Sequence, residues 1–312
     1  MSQGAIVFVV NPRSANGATL RRFDRLRERF ARELGVIEVR LTERPRHATE
    51  LARDAIRAGA KAVVAVGGDG TNNEVVNGFF DDDGKALGAA AFGFVCSGTG
   101  GDFRRTFGQS TDPLEALARL KRFETRTIDV GRVRFAAHDG SEATWYYVNS
   151  GSLGLVGRVV DIANTSSKAL GPQATFLSAA VKGLFSYKPQ RVRLRFDDEP
   201  TPVEDAFLLI SLANGKFFGG GMKIAPDALP DDGLLDCVMV RGAGAGLLRH
   251  MPKLYLGTHT KVSSLVTVKR CRRLRVEAVD AGERVLVELD GEQPGRLPAT
   301  FEVVPGALKL IV

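Results

Sequence analysis

The chain has 312 residues, 44% of them hydrophobic and 25% charged, with a formal net charge of +7. That length suits two domains sharing a cleft, and the basic balance favours acidic partners: nucleic acid, an anionic bilayer or phosphorylated small molecules. Cys96, Cys237 and Cys271 are too scattered for a disulfide framework, MSQGAIVFVV lacks the basic segment and long apolar core of a signal peptide, and no apolar run approaches the ~18–20 residues of a membrane span, so a soluble or peripheral protein of a reducing compartment is expected.

In chain order, AIVFVV (5–10) is a buried strand, and Leu20, Phe23, Leu26, Phe30 and Leu34 recur behind it at helical spacing. VIEVRLT (36–42) reads as a strand and HATELARDAIRAG as a helix. AVVAV (62–66) is a strand whose unbroken β-branched character predicts parallel pairing with both faces covered. AAFGFV is a further strand and DPLEALARLKRF a helix, so residues 1–133 are expected to form a doubly wound α/β domain. Beyond TRTIDVGRV, strand-like alternation in WYYVNSGSL, RVRLRF, DAFLLISLAN, GLLDCVMV, LRVEAV, RVLVELD and TFEVV predicts an antiparallel β-sandwich over 134–312. Helical interruptions are expected near 173–186 and 245–257. The cleft between the two domains is the default site.

The stretch AVVAVGGDGTNNEVVNGFF (62–80) ends a strand on Gly67 and Gly68, which lets a ligand approach the backbone. Thr71 and Glu74 form a T-x-x-E capping box, so a helix from Asn72 is expected to aim its positive end at the glycine turn. Asp69 beside an anion site implies a cation between them, most simply Mg²⁺ carried with nucleotide phosphates. There is no Walker A motif, and Gly151, Gly154 and Gly157 read as sandwich turns.

In NPRSANG (11–17), Pro12 directs the exit from the strand while Asn11, Ser14 and the loop amides offer hydrogen bonds to a nucleotide. In SGTGGDF (97–103), Ser97 and Thr99 can donate to phosphates and Asp102 adds a second acid. PDALPDDGLLD (226–236) is a turn crowded with carboxylates, and LDGE (289–292) places two acids around a glycine at a strand end. On residues alone both read as solvated turns. A carboxylate of LDGE within hydrogen-bond reach of a hydroxyl is able to orient it and accept its proton.

GGDGTNNEVVNG resembles the nucleotide loop of the diacylglycerol kinase catalytic family, which includes bacterial diacylglycerol kinases, sphingosine kinases and ceramide kinases. GGDGT alone is shared with NAD kinases and phosphofructokinases. VVNPRSANG, SGTGGDF, PDALPDDGLLD and LDGE, however, follow in the family's order across almost the whole chain. The resemblance implies an NAD kinase/diacylglycerol kinase-like fold and an ATP site lined by Asn11, Pro12, Arg13, Ser14, Ala15, Thr42, Gly67, Gly68, Asp69, Gly70, Thr71, Asn72, Asn73 and Thr99. It implies a structural Mg²⁺ held by Asp232 and the main-chain carbonyls of Leu229 and Leu234, and an acid network of Asp69, Asp102, Asp129 and Asp232. It makes Asp290 or Glu292 the candidate base, with Asp69 as the alternative. The chain departs from the family pattern at Cys96 (usually Pro), Gly101 (usually Asn), Arg104 (usually Ala) and Gly154-Leu155-Val156-Gly157 (usually G-x-D-A).

The implied activity is ATP- and Mg²⁺-dependent phosphorylation of a lipid hydroxyl, with diacylglycerol first and ceramide or a sphingoid base next. The rival readings are an NAD kinase and a non-catalytic, nucleotide-bound lipid-binding protein. Membrane contact is expected through ATFLSAAVKGLFSYKPQ (174–190), which clusters Phe176, Leu177, Val181, Leu184, Phe185 and Tyr187 beside Lys182 and Lys188. The basic run Lys269, Arg270, Arg272, Arg273 and Arg275 suits anionic headgroups. It lacks the interleaved aromatics of a nucleic-acid site, and the four histidines show no metal-ligand spacing. A cytoplasmic, peripherally membrane-associated enzyme is expected, with a homodimer left open.

Overall fold

The computed structural model describes residues 4–81, 84–96, 101–165, 178–179, 182–242, 244–280 and 282–312. The chain divides into two units, Met1–Ile128 with Gly306–Val312, and Asp129–Pro305. The second crossing separates this division from a single cut near residue 133: the last seven residues return to the first unit.

In the first unit, strands β1 (Ile6–Val10), β2 (Ile37–Leu41), β3 (Ala62–Gly67) and β4 (Ala91–Cys96) lie in the order β2-β1-β3-β4, every pair parallel. The apolar runs of β1, β3 and β4 are buried along their whole length, as a sheet covered on both faces requires. On one face α1 (Ala18–Leu34) and α5 (Pro113–Arg122) bring Phe23, Phe30, Leu117 and Leu120 against Phe8, Val64 and Val66. Phe8 meets Phe23 and Phe30 at ring-centroid separations of 5.3 Å. Helices α2 (His47–Arg57) and α3 (Asp69–Asn77) pack on each other and on β3. The short α4 (Asp102–Thr106) follows β4.

The expected capping box is not formed. Helix α3 begins at Asp69, with Gly68 in the N-cap position, so Thr71 lies inside the first turn. Glu74 serves a different helix: its Oε2 accepts the Ala48 amide at 3.1 Å and so satisfies an open donor in the first turn of α2.

The second unit is a two-layer antiparallel sandwich. Its strands are β5 (Thr125–Ala137, entering from the first unit), β6 (Glu142–Tyr147), β7 (Ser150–Gly154), β8 (Gln190–Phe196), β9 (Val203–Phe207), β10 (Leu209–Ala213), β11 (Leu235–Val240), β12 (Val266–Cys271), β13 (Arg273–Ala278), β14 (Leu286–Leu289) and the long β15 (Glu292–Ile311). One layer runs β12-β11-β10-β7-β14-β15 and the other contains β6-β5-β15-β13-β8-β9. Val133, Phe135, Tyr147, Leu194, Leu274, Val287 and Phe301 belong to the core between them.

The outer face of the first layer carries a second apolar cluster. There α6 (Leu155–Thr165) and α7 (Met251–Leu256) bring Val156, Val160, Met251 and Leu254 together with Leu209, Val238 and Val266. Helix α6 is absent from the sequence reading, which took this region for turns. Only Gly154, at φ +87°, is a bend. A Cβ on Gly151 would lie 2.9 Å from Phe301 and one on Gly157 2.7 Å from Leu286, so these two glycines are close-packing positions.

Candidate active site

In the first unit, the expected nucleotide residues gather at the C-terminal edge of the parallel strands, where open α/β sheets bind ligands. Asn11 follows β1, Thr42 follows β2, and Gly67 to Asp69 join β3 to α3. Asn11 Oδ1 accepts the Arg13 amide at 3.0 Å, and its Nδ2 reaches Thr71 Oγ1 at 3.3 Å, tying the NPRSANG loop to α3. The loop backbone turns through positive φ at Ala15 and Asn16. Thr71, Asn72 and Asn73 are buried, so what α3 offers a ligand is the set of first-turn amides that no helix satisfies internally.

The two glycines of the loop have different reasons. A Cβ on Gly67 would stand 2.3 Å from Thr71 Oγ1, whereas one on Gly68 meets nothing within 4 Å. Neither packing nor dihedral angles (φ −102°, ψ −169°) require glycine at 68. Open space over a backbone at a helix N-terminus fits a phosphate.

Asp69 divides its carboxylate. Oδ2 accepts the amides of Gly101 (2.8 Å) and Asp102 (3.1 Å), which holds the loop after β4 against the loop after β3. Oδ1 is buried without a hydrogen-bond partner among the described residues, an acceptor left open to a water's hydrogen or to a cation carried by a ligand. Asp102 pairs with Arg105 at 2.8 Å. Ser97 and Thr99 lie outside the described residues. Two departures from the family pattern touch each other: a Cβ on Gly101, at φ +81°, would lie 2.7 Å from Cys96 Sγ.

In the second unit the acids of LDGE separate. Asp290, at φ +48° in the turn between β14 and β15, is buried. Its Oδ2 accepts the Val148 amide at 2.9 Å, and its Oδ1 accepts the amides of Asn149 (3.0 Å) and Ser150 (2.9 Å). Glu292, across Gly291, is exposed. The same region is braced by Asn214, whose Nδ2 donates to Asp129 O and Val148 O, both at 2.9 Å. Asp129 Oδ2 in turn accepts the Gly233 amide at 2.7 Å, which joins the carboxylate-rich turn to the sandwich. The sequence reading missed Asn149, Asn214 and Glu288. A charged or amide residue within or directly after an apolar run was the one signal available.

The metal set does not assemble as the resemblance implies. Asp232 Oδ1 accepts the Leu234 amide at 3.1 Å, and Oδ2 is bonded by Arg270 Nη2, whose Nε lies 3.7 Å from Asp236 Oδ2. Burial raises the Asp236 carboxyl above the usual range, and Arg270 opposes that shift. The Asp232 carboxylate is therefore already occupied by a guanidinium and a backbone amide. These residues do not fit a structural Mg²⁺.

No helix among the described residues is long and apolar enough to cross a membrane. Most of the basic run 269–275 is consumed internally: Lys269 pairs with Glu199, Arg270 with Asp232, Arg273 with Asp198 and Arg275 with Glu277. Of the 174–190 segment, Phe176, Leu177 and Val181 lie outside the described residues. Leu184 is buried, and Phe185 is 60% exposed next to exposed Ser186 and Lys188. Behind Leu184 is an apolar cavity of about 120 Å³, lined by Leu155, Leu209, Ile224, Met251 and Val266 among others.

Comparison with known proteins places both units. Residues 5–133 match the diacylglycerol kinase catalytic domain, and residues 148–312 match the YegS C-terminal NAD kinase beta sandwich-like domain. A Bacillus subtilis diacylglycerol kinase is 31% identical over 265 residues, covering 82% of this chain and 81% of its own. The "Probable lipid kinase YegS-like" protein of Pseudomonas aeruginosa is 31% identical over 313 residues, covering 99% and 95%. A crystal structure of a diacylglycerol kinase from Bacillus anthracis superimposes with a TM-score of 0.71 at 18% identity, over 100% of this chain and 97% of that one, a likeness of fold. The motif order, the α/β unit followed by the sandwich, and these matches make the chain a member of the diacylglycerol kinase/YegS-like lipid kinase family.

Proposed function

We propose that the protein transfers the γ-phosphoryl group of ATP to the hydroxyl of diacylglycerol, forming phosphatidic acid, with Glu292 as the base. The observation that carries the assignment of the base is the contrast within one turn. Asp290 is buried and filled by three backbone amides, while Glu292 is exposed one glycine away. A carboxylate whose two oxygens already accept three backbone amides is poorly placed to reach an acceptor hydroxyl. An exposed one is available to an acceptor hydroxyl.

ATP with Mg²⁺ supplies the transferred group and neutralises charge on it. Gly67 and Gly68 admit phosphates to the first-turn amides of α3, Asn11 holds the neighbouring loop against Thr71, and Asp69 Oδ1 meets the nucleotide's metal or its water. Glu292 accepts the hydroxyl proton as the phosphoryl group leaves ADP. The apolar cavity behind Leu184 suits part of an acyl chain. At about 120 Å³ it is comparable to cavities that take a benzene-sized group, roughly 150 Å³, so it holds a chain segment and not a whole tail.

Diacylglycerol is favoured as acceptor because the Bacillus subtilis and Mycobacterium tuberculosis relatives bear that name. Membrane approach is assigned to the 182–188 region around Phe185, since the 269–275 run is largely paired. The test is incubation with labelled ATP and Mg²⁺ against vesicles containing diacylglycerol, ceramide or sphingosine, with NAD as a soluble control. Label in phosphatidic acid supports the proposal. Label confined to another lipid or to NADP replaces the acceptor, and label in none of them removes the kinase reading.

A further inference from the structure

Glu288 is the one glutamate in the sandwich that is almost fully buried, at 3% exposure among the described residues, and the phosphoryl-transfer scheme does not use it. Its neighbours Val287 and Leu289 point into the core between the layers, so strand alternation sends Glu288 to the opposite face. There it lies across from Ser152 of β7, and Ser152 lies across from Ser211 of β10. The two serine hydroxyls bond each other at 3.2 Å, and both residues are fully buried. Glu288 Oε1 accepts the amide of Gly291, the residue between Asp290 and Glu292, while Oε2 is buried without a hydrogen-bond partner among the described residues.

We propose that Glu288 is a positioning residue: by holding the Gly291 amide from inside the sheet, it sets the direction in which Glu292 leaves the turn. The inference rests on Glu292 being the base. Asp290 pins the turn on one side through Val148, Asn149 and Ser150, and Glu288 pins it on the other. Between them they leave the Asp290–Gly291 backbone, with both residues at positive φ, little freedom.

The protonation state follows from the surroundings. Burial pushes the Glu288 carboxyl up to about 8; the Gly291 amide opposes this, Asp290 adds to it, and the Ser152 hydroxyl and Glu292 make smaller, opposite contributions. Among the described residues, no lysine or arginine is among the groups that shift it. Asp290 and Glu292 lie in its own turn, β7 and β10 present serines, Tyr147 of β6 is a phenol whose ionisation burial resists, and the charged Arg158 of α6 is exposed. At neutral pH the side chain is mostly a neutral acid, which tolerates the bare Oε2 far better than an ionised carboxylate would. Ionisation above pH 8 strengthens the Gly291 hydrogen bond but places a negative charge beside Asp290 and Glu292, and that repulsion displaces the turn.

The experiment compares wild type, Glu288→Gln and Glu288→Ala in the lipid kinase assay and in thermal melts from pH 5 to 9. Glu288→Gln keeps an acceptor for Gly291 and cannot ionise. It is expected to hold kcat within a few-fold of wild type at pH 7 and to lose the wild type's fall in kcat above pH 8. Glu288→Ala removes the acceptor and is expected to lower kcat by about 10²-fold, the scale of a slight misplacement of a reacting group, with the KM for ATP unchanged. An alkaline limb in Glu288→Gln identical to that of wild type, or full kcat in Glu288→Ala, overturns the proposal. If Glu288→Ala does not fold, the Gln profile decides alone. The melts are independent of which residue is the base: the advantage of Glu288→Gln over wild type grows as pH rises from about 4.5 to 8 if Glu288 is the buried neutral acid. Glu292→Gln retaining full turnover instead removes the base assignment, without touching that melting difference.

Discussion

Thr71 occupies the space that a side chain on Gly67 would need: a Cβ there would fall 2.3 Å from Thr71 Oγ1 and 2.7 Å from Thr71 Cβ. Gly68, the next residue, faces open space. Gly67→Ala is therefore expected to lower stability by about 1–3 kcal/mol through overpacking, visible as a reduced melting temperature with or without nucleotide. Gly68→Val is expected to melt like wild type and to lose ATP binding in calorimetry. Unimpaired ATP affinity in a folded Gly68→Val protein refutes the phosphate path assigned to that face.

Asp290 and Glu292 should answer differently to the same isosteric change. Glu292→Gln is expected to cut turnover by about 10²–10⁴ with an unchanged melting temperature, because its side chain is exposed. Asp290→Asn sets an amide group among three buried N–H donors. It is expected to cost about 1–3 kcal/mol in stability and to lower turnover through displacement of the turn. A Glu292→Gln enzyme of normal kcat alongside a slow but fully stable Asp290→Asn enzyme would exchange the two roles.

Arg270 and Asp232 bear on metal removal. With the guanidinium bonded to Asp232 Oδ2 and 3.7 Å from Asp236 Oδ2, chelation with EDTA in the absence of nucleotide should leave the melting temperature unchanged, while turnover with ATP is expected to stop. Arg270→Gln should melt lower and become responsive to added Mg²⁺, since the turn then lacks its cation. A wild-type melting temperature that drops on chelation and recovers with Mg²⁺ would show a structural ion at this turn after all.

His259 gives the second unit an acid-side dependence. It is buried, and its Nε2 lies 3.1 Å from Ile224 O. Burial depresses its pKa below 6.5, against the smaller opposing pull of the Ile224 and Lys253 carbonyls. A depressed folded-state value means that the stabilisation is complete above pH 6.5, the unfolded value, and is lost as pH falls through the folded one. Melts of wild type and His259→Gln between pH 7.5 and 5 should converge as the pH drops. Parallel curves would assign the acid sensitivity to other groups.

What the sequence by itself determined was whatever rests on local chemistry. The unbroken runs IVFVV, AVVAVG and AFGFVC were legible as doubly covered parallel strands, and the α1 phenylalanine spacing as a buried helical face, because both patterns repeat within a few residues. The nucleotide loops were legible because glycines, a helix start and an acid have a meaning at fixed spacing. Tertiary structure alone decided the partners of each polar group. Glu74 caps α2 and not its own helix, Arg270 is bonded to Asp232, and the Asp290 carboxylate accepts amides about 140 residues earlier in the chain. Each of these depends on strand register or helix packing between distant segments. A carboxylate's role follows from which donors that packing brings to it, and neighbours in sequence do not specify them.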